Sequence, residues 1–341
     1  MAAVAADGAF RFRDGERLIA FGEGALDQAP ELISAQGLDG YALLSTERAL
    51  RSAPLALIDG AEVVLHVPAG PVPECAAAVR DGVGGRPLVA FGGGRVVDAA
   101  KAIAAADGLQ AGAIPTTLAG SSFTPFHRMP AGVEGYGLVR PVLAVCDPAL
   151  MASAPLPDLA ATAMNALAHA TESLYASGAN PVSEGAALRA AALFARGLPA
   201  DPPGSDDVAL AGVLAGWAVG TAGLALHHAL CQTLVRVLAT PHALTNAVML
   251  PRSVEFMSGR LPEPIGKLAG ALGAEDGDSA AAAGRVAALA ALAGPTTLGE
   301  LGVSEGDLDA VVSAALEHRG LQATPGGVSE RDVRELLAAA L

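Results

Sequence analysis

Short apolar runs and Ala-rich helical runs alternate through the first 150 residues, after which strand signals almost vanish. This change of texture constrains the fold more than any other feature of the chain. FRFRDGERLIAFGEGAL opens with polar–apolar alternation, which predicts a hairpin and then a helix from about Ala25. YALLST (41–46) reads as a buried strand, AEVVLHVP (61–68) and PVLAVCDPAL (141–150) as further strands, RPLVAFGGG (86–94) as a strand running into a glycine turn and AGAIPTTLAGS (111–121) as a strand leading to a loop. Between them RALRSAPLALIDG, VPECAAAVRDGVGG and RVVDAAKAIAAADG read as helices, the second closed by its glycines. Such alternation implies a parallel sheet covered on both faces. From about Ala152 onward Ala/Leu helices take over, with clear breaks at LPADPPGSDD (198–207) and RLPEPIG (260–266). The expectation is two domains: an α/β domain over 1–150 and an all-helical domain over 151–341.

Composition removes several classes of function. Hydrophobic residues make up 52% of the chain and charged ones 16%, enough apolar material for a sizeable interior and too little charge for disorder. With 21 basic and 35 acidic residues the net charge is −14, which argues against nucleic acid or an anionic membrane as partner. The three cysteines, Cys75, Cys146 and Cys231, are too widely spaced for a disulfide framework or a zinc signature, and read as small packing residues. MAAVAADGAFRFRDGER has no sustained apolar core and does not read as a signal peptide. The apolar runs near 208–226 and 279–293 are interrupted by Gly, Asp or Arg, so no bilayer span is expected. A soluble cytoplasmic protein acting on a small molecule follows.

The chemistry concentrates in Leu224–Asn246, LALHHALCQTLVRVLATPHALTN, which holds three of the seven histidines in a charge-poor segment. His169 sits in a similar setting, MNALAHATES. Imidazoles are costly to bury unless they hydrogen-bond, titrate or bind a metal. On a helix Asn165 and His169 share one face, as do His228 and Gln232, and His242 follows Pro241, an arrangement common at a helix start. One histidine on an apolar helix is more often a hydrogen-bonded core residue than a ligand. Two i,i+4 pairs and a third histidine after a break favour one shared polar pocket of Asn165, His169, His228, Gln232 and His242.

A second constellation lies at Gly92-Gly93-Gly94, where a strand ends and Arg95-Val96-Val97-Asp98 opens a helix. Glycines let backbone N–H groups approach a phosphate, and the helix start favours negative charge. Asp98 reads as a first-turn residue suited to the dipole, and Lys101 as one that reaches a phosphate or stands in solvent. The pattern is neither GxGxxG nor a P-loop. Pro115-Thr116-Thr117, at the end of the next strand, adds two hydroxyls at the same edge of the sheet.

Taken in order, GGGRVVDAAKA, AIPTTLAGSSFTP, DPALM, MNALAHATESLYA with NP, and HHALCQTL with TPHALTNAVMLP resemble the iron-containing (group III) alcohol dehydrogenases. The maleylacetate reductase branch, with PTT(Y)AGSE(x)TP, MNA(x)AHA(x)E and H(x)LCH–PHA, is the most similar. The resemblance spans nearly the whole chain. It implies an α/β + all-α protein of the dehydroquinate synthase-like kind: an N-terminal Rossmann-like parallel-sheet nucleotide-binding domain, a C-terminal helical domain and a cleft between them. NAD or NADP is implied as cofactor, and a homodimer as the assembly. Carried over by motif, Gly93, Gly94, Asp98, Thr116 and Thr117, with Arg95 in the same turn, fall on the nucleotide contacts. Asn165, His169, His228 and His242 fall on the positions that hold Fe²⁺ or Zn²⁺ in metal-dependent members; the spacing from His228 to His242 selects His228 over His227. Ser45-Thr46-Glu47-Arg48 leaves the choice between NADH and NADPH open.

The sequence also departs from the family. Asn165 stands where metal enzymes have Asp, and an amide is a poorer ligand, so a metal on His169, His228 and His242 is admitted but not favoured. Gln232 replaces a His that can move a proton. Leu118 replaces Tyr, Ser122 replaces Glu, and Val235-Arg236 replaces a glycine pair. The segment between Pro130 and Pro141 is shortened and has Glu134 and Arg140 but not the customary Lys. A substrate other than maleylacetate is therefore expected.

The leading reading is an NAD(P)H-dependent reductase of a small ketone, enone or keto/enol acid. In it His169, His228 or His242 polarises the oxygen and supplies the proton, and Gln232 orients it. Arg128, Arg140 and Arg236 are candidates for a substrate carboxylate, or solvated surface charges. The alternative is a non-redox lyase, dehydratase or cyclase on the same scaffold. A scaffold without catalysis is disfavoured because it has no use for buried imidazoles.

Overall fold

The computed structural model describes residues 8–341. The first seven residues of the expected α/β domain, and the part of the signal-peptide reading that falls on them, lie outside the described residues. The chain divides into two compact units, Met1–Ser153 and Ala154–Leu341.

The first unit is built on one seven-stranded sheet. Its strands are β1 (Phe10–Asp14), β2 (Arg17–Phe21), β3 (Ala42–Ser45), β4 (Val63–His66), β5 (Leu88–Gly92), β6 (Ala111–Pro115) and β7 (Leu143–Cys146), in the order β1-β2-β7-β6-β5-β3-β4. Only β1 is antiparallel to its neighbour, as the edge of the expected hairpin; the other pairings are parallel. Helices α1 (Ala29–Ala35), α2 (Glu47–Leu50), α3 (Leu55–Asp59), α4 (Val72–Val83), α5 (Gly94–Asp107) and α6 (Pro148–Met151) complete it. Alternate residues of each central strand enter different cores, which is why the strands read as unbroken apolar runs. Leu88 and Ala90 pack with Val79, Val83, Val97 and Ile103. Val89 and Phe91 pack on the other face with Leu32, Leu43, Leu57 and Ile114. Each fully buried side chain of this size contributes about 1.5–3 kcal/mol.

Two elements differ from expectation. Residues 148–150, read as part of the last strand, open helix α6, because Asp147 accepts the Ala149 N–H and Pro148 sits at the first helical position. RALRSAPLALIDG forms two short helices, α2 and α3, and not one. Pro54 lacks an N–H and pushes Ala53 out of the helical region, so the chain breaks there and restarts with Pro54 as the cap of α3.

The second unit is helical throughout its described residues. Its helices are α7 (Leu156–Glu172), α8 (Pro181–Gly197), α9 (Ser205–Ala222), α10 (Leu226–Leu238) and α11 (His242–Arg260). They continue with α12 (Pro262–Ala271), α13 (Ser279–Ala290), α14 (Leu308–Leu316), α15 (Arg319–Gln322) and α16 (Glu330–Ala338), joined by short 3₁₀ turns. The two expected breaks fall between α8 and α9 and between α11 and α12. Among the described residues no single helix is long and apolar enough to cross a membrane.

Candidate functional site

In the first unit the glycine turn and the Thr116-Thr117 segment come together through the sheet. Gly92 is in register with Pro115, and its carbonyl accepts the Thr116 N–H at 3.1 Å. A Cβ on Gly93 would stand 3.3 Å from Thr117 Cγ2, and one on Gly94 would stand 3.1 Å from Ala119 Cβ and 3.2 Å from Ser121 Oγ. The glycines are thus needed for the loop after β6 to lie against the start of α5, apart from any phosphate. Arg95 is exposed and both threonines are half-buried.

Two expectations need correcting here. Asp98 is not in the first turn of α5, which begins at Gly94, and it does not cap the helix. Its carboxylate accepts from Lys101 Nζ at 2.9 Å and from the Ser121 hydroxyl at 3.0 Å. Lys101 is neither solvated nor free to reach a phosphate: its side chain is 0% exposed. Its ammonium also donates to the carbonyls of Ser121 at 3.0 Å and Phe126 at 2.6 Å, so all three of its hydrogens are used. Burial lowers the Lys101 pKa, against the pull of Asp98. The pair fastens the loop 116–126 to α5. Arg17 of β2 holds the same loop from another side, donating to Phe123 O at 2.9 Å. The family departures Leu118 and Ser122 are both packed inside, and Ser122 Oγ has no partner.

In the second unit Asn165, His169 and Glu172 recur at i, i+4 and i+7 along α7 and so share one face. Glu172 was legible only as part of the motif MNALAHATE, yet it is the anchor of the site. Its fully buried carboxylate accepts His228 Nδ1–H at 2.7 Å and the His228 backbone N–H at 3.2 Å. The backbone N–H groups of Ala225 and His227 also point to it. A carboxylate at the end of α7 thereby satisfies the open donors at the start of α10. Burial raises the Glu172 pKa, and His227 and these N–H groups oppose that rise. His228 is pushed down to about 3, first by burial and then by His242. The Glu172 contact is therefore a hydrogen bond from a neutral imidazole and not an ion pair. With its proton on Nδ1, His228 keeps a lone pair on Nε2, 3.4 Å from Asn165 Oδ1; the two acceptors repel unless the Asn165 amide turns its NH₂ to the ring.

His169 stacks on His228, with ring centroids 4.5 Å apart and planes 12° from parallel. It is held well below the usual histidine range by burial, then by His228, His242 and His227, and its Nδ1 has no partner. His227 differs: it is edge-on to His228 and bonds Ser253 Oγ at 3.0 Å and Asn246 Oδ1 at 2.9 Å, both on α11. It is a satisfied core histidine that ties α10 to α11. His242 is the first residue of α11 and is exposed, close enough for its charge to lower His169 and His228. Ala239, between α10 and α11, has φ 56°, a left-handed conformation that costs a residue with a Cβ about 1–2 kcal/mol. The structure thus brings Asn165, His169 and His228 into contact with His242 nearby. Gln232 turns instead to His318, whose Nε2 is 3.2 Å from its Oε1. No sequence signal linked the two. Arg128, Arg140 and Arg236 are exposed.

The arrangement can be tested against a divalent metal. Among the described residues no three His, Cys, Asp or Glu side chains converge to hold one. The fourth position is an amide. As arranged, these residues do not fit Fe²⁺ or Zn²⁺.

Residues 159–341 match the family model described as Fe-containing alcohol dehydrogenase family, C-terminal. The chain is 37% identical over 265 residues to maleylacetate reductase 1 of Rhodococcus opacus, covering 74% of this chain and 72% of that one. It is 32% identical over 340 residues to the maleylacetate reductase of Sphingobium indicum, covering 95% of each. The crystal structure of maleylacetate reductase from Rhizobium sp. strain MTP-10005 superposes with a TM-score of 0.83 at 30% identity, covering 98% of both chains.

Proposed function

The chain belongs to the iron-containing alcohol dehydrogenase family, in its maleylacetate reductase-like branch, and from that premise we propose an NAD(P)H-dependent reductase of a small keto or enol acid. The observation that carries the reading is the buried Glu172–His228 pair, stacked on a His169 with an unpartnered nitrogen. Burying a carboxylate and two imidazoles is costly, and a protein without chemistry at that point gains nothing from it.

The family is NAD(P)-dependent. The residues of the first unit suit such a cofactor: glycine backbone at the opening of α5, with Thr116 and Thr117 beside it. Gly93, Gly94 and Arg95 would take the pyrophosphate, and Asp98 would act through Ser121 and Lys101 by holding the loop. When bound, NAD(P)H supplies the hydride. Glu172 holds the Nδ1–H of His228, so its Nε2 lone pair is an acceptor and not the donor to the substrate oxygen. Neutral His169, stacked beside it, would donate its ring N–H to that oxygen and release the proton to it as the hydride arrives. His242 is the exposed member and exchanges the proton with water at least cost. No step is routed through a metal.

The test supplies NADH and NADPH separately with maleylacetate and a panel of β-keto acids, and follows the loss of nicotinamide absorbance. Cofactor oxidation with at least one keto or enol acid is expected. Product formed with no change in the cofactor would overturn the reading in favour of a lyase. Assembly as a homodimer is checked by light scattering on the same preparation.

A further inference from the structure

Gln232 occupies the position at which the family pattern has a histidine, one turn beyond His228 on the same face of α10. An amide does not exchange a proton at neutral pH, so the position has lost its acid–base chemistry. The fold brings it a different imidazole. His318, 86 residues further along the chain, has Nε2 at 3.2 Å from Gln232 Oε1. It precedes α15, and its Nδ1 lies 3.1 Å from the backbone nitrogen of Gly320.

These two contacts fix the hydrogens of the pair. A backbone N–H can only donate, so His318 Nδ1 must present a lone pair. The neutral ring then carries its proton on Nε2, and that N–H must donate. Only the oxygen of the Gln232 amide can accept it, so the amide NH₂ is turned away from His318. That NH₂ donates to no group among the described residues. Both side chains are half-buried, accessible to a small molecule and still restrained.

We infer that His318 is a positioning residue: it holds the Gln232 amide so that its NH₂ donates to an acceptor oxygen of the substrate. That oxygen belongs to the carbonyl being reduced or to a carboxylate beside it. The inference rests on the reductase reading and assigns position 232 to recognition, leaving proton exchange to the histidines. A fixed donor rejects substrates that place a donor or a bare CH at that point, because the amide is then left unpaired.

Two substitutions separate this role from a structural one. Gln232→Glu is nearly isosteric and keeps the acceptor that His318 needs, but removes the donor. His318→Asn keeps an acceptor for the Gly320 N–H, Asn being well suited to a helix start, but withdraws the donor from Gln232. With NAD(P)H and keto acids, kcat/KM is expected to fall about tenfold or more in Gln232→Glu and about three- to tenfold in His318→Asn, at unchanged melting temperature. A loss carried by KM assigns the oxygen to the carboxylate; a loss carried by kcat assigns it to the carbonyl, where charge develops. Unchanged kcat/KM in both variants overturns the inference. If the wild-type protein turns over no keto acid, the reductase reading has failed on its own. The positioning role is then read from the ¹⁵N shifts of His318 and from calorimetric binding of oxaloacetate. A protonated Nε2 with about fivefold weaker binding in Gln232→Glu supports it. A protonated Nδ1 or equal affinity overturns it.

Discussion

Lys101 in the α/β unit and His169 in the helical unit are both polar side chains buried on Ala-rich helices, yet they are left in opposite states. Lys101 spends all three hydrogens, on Asp98, Ser121 and Phe126. His169 has one ring nitrogen without a partner and a neighbouring imidazole stacked on its face. Buried polar groups are nearly always satisfied, so the first is a finished clasp and the second is open to a ligand. Burial alone does not mark a working residue, and neither does an unmade bond alone, since buried Ser122 Oγ also lacks a partner; His169 joins its open nitrogen to a stacked imidazole that is itself held by a buried carboxylate.

The sharpest test of that contrast is His228→Gln. If the helical unit holds the reacting oxygen, kcat should fall by about 10²–10⁴, the usual range for an acid–base group, with NAD(P)H affinity unchanged by fluorescence titration. An unchanged kcat would break the comparison. Lys101→Met addresses the other side. It leaves the Asp98 carboxylate without its cation and should cost about 3–5 kcal/mol in denaturant unfolding. Its functional signature should be a raised KM for NAD(P)H, since only the loop against the glycine turn is released.

Acid should find the helical unit first. His227 and His228 are held at about 3, below the free value near 6.5, so protonation favours the unfolded chain. The stability they contribute is complete above about pH 6.5 and is lost as pH falls toward 3, roughly 2 kcal/mol for each by pH 5. His169 acts in the same direction. Glu172, its pKa raised, acts in the opposite one but is a single group. Denaturant melts at pH 7, 6 and 5 measure the slope, and a flat profile would mean these imidazoles are not buried as described. The smallest effect is at Ala239: Ala239→Gly should relieve the left-handed strain and raise stability by up to about 1 kcal/mol. A fall in stability would show that the turn into His242 is not strained.

The parallel sheet, its glycine turn and the helical second half were legible in the sequence because they rest on local periodicity. So was the Asn165/His169 face, one turn of a single helix apart. The single helix expected over 48–60 is two because Pro54 acts on the residue before it, a short-range effect that the apolar pattern conceals. Leu118 and Ser122 were identified as departures from the family pattern, but their burial could not be read from it.

From the sequence alone came the order of strands and helices, the residue types at each candidate position and the loss of a titrating group at Gln232. Partner choice was decided by the tertiary structure. Glu172 meets His228 across 56 residues, and Gln232 meets His318 across 86. Lys101 is buried only because the loop after β6 closes over it. A repeat of two or 3.6 residues sets the direction of a side chain from its own element, but the group it meets is set by the packing of elements far apart in the chain.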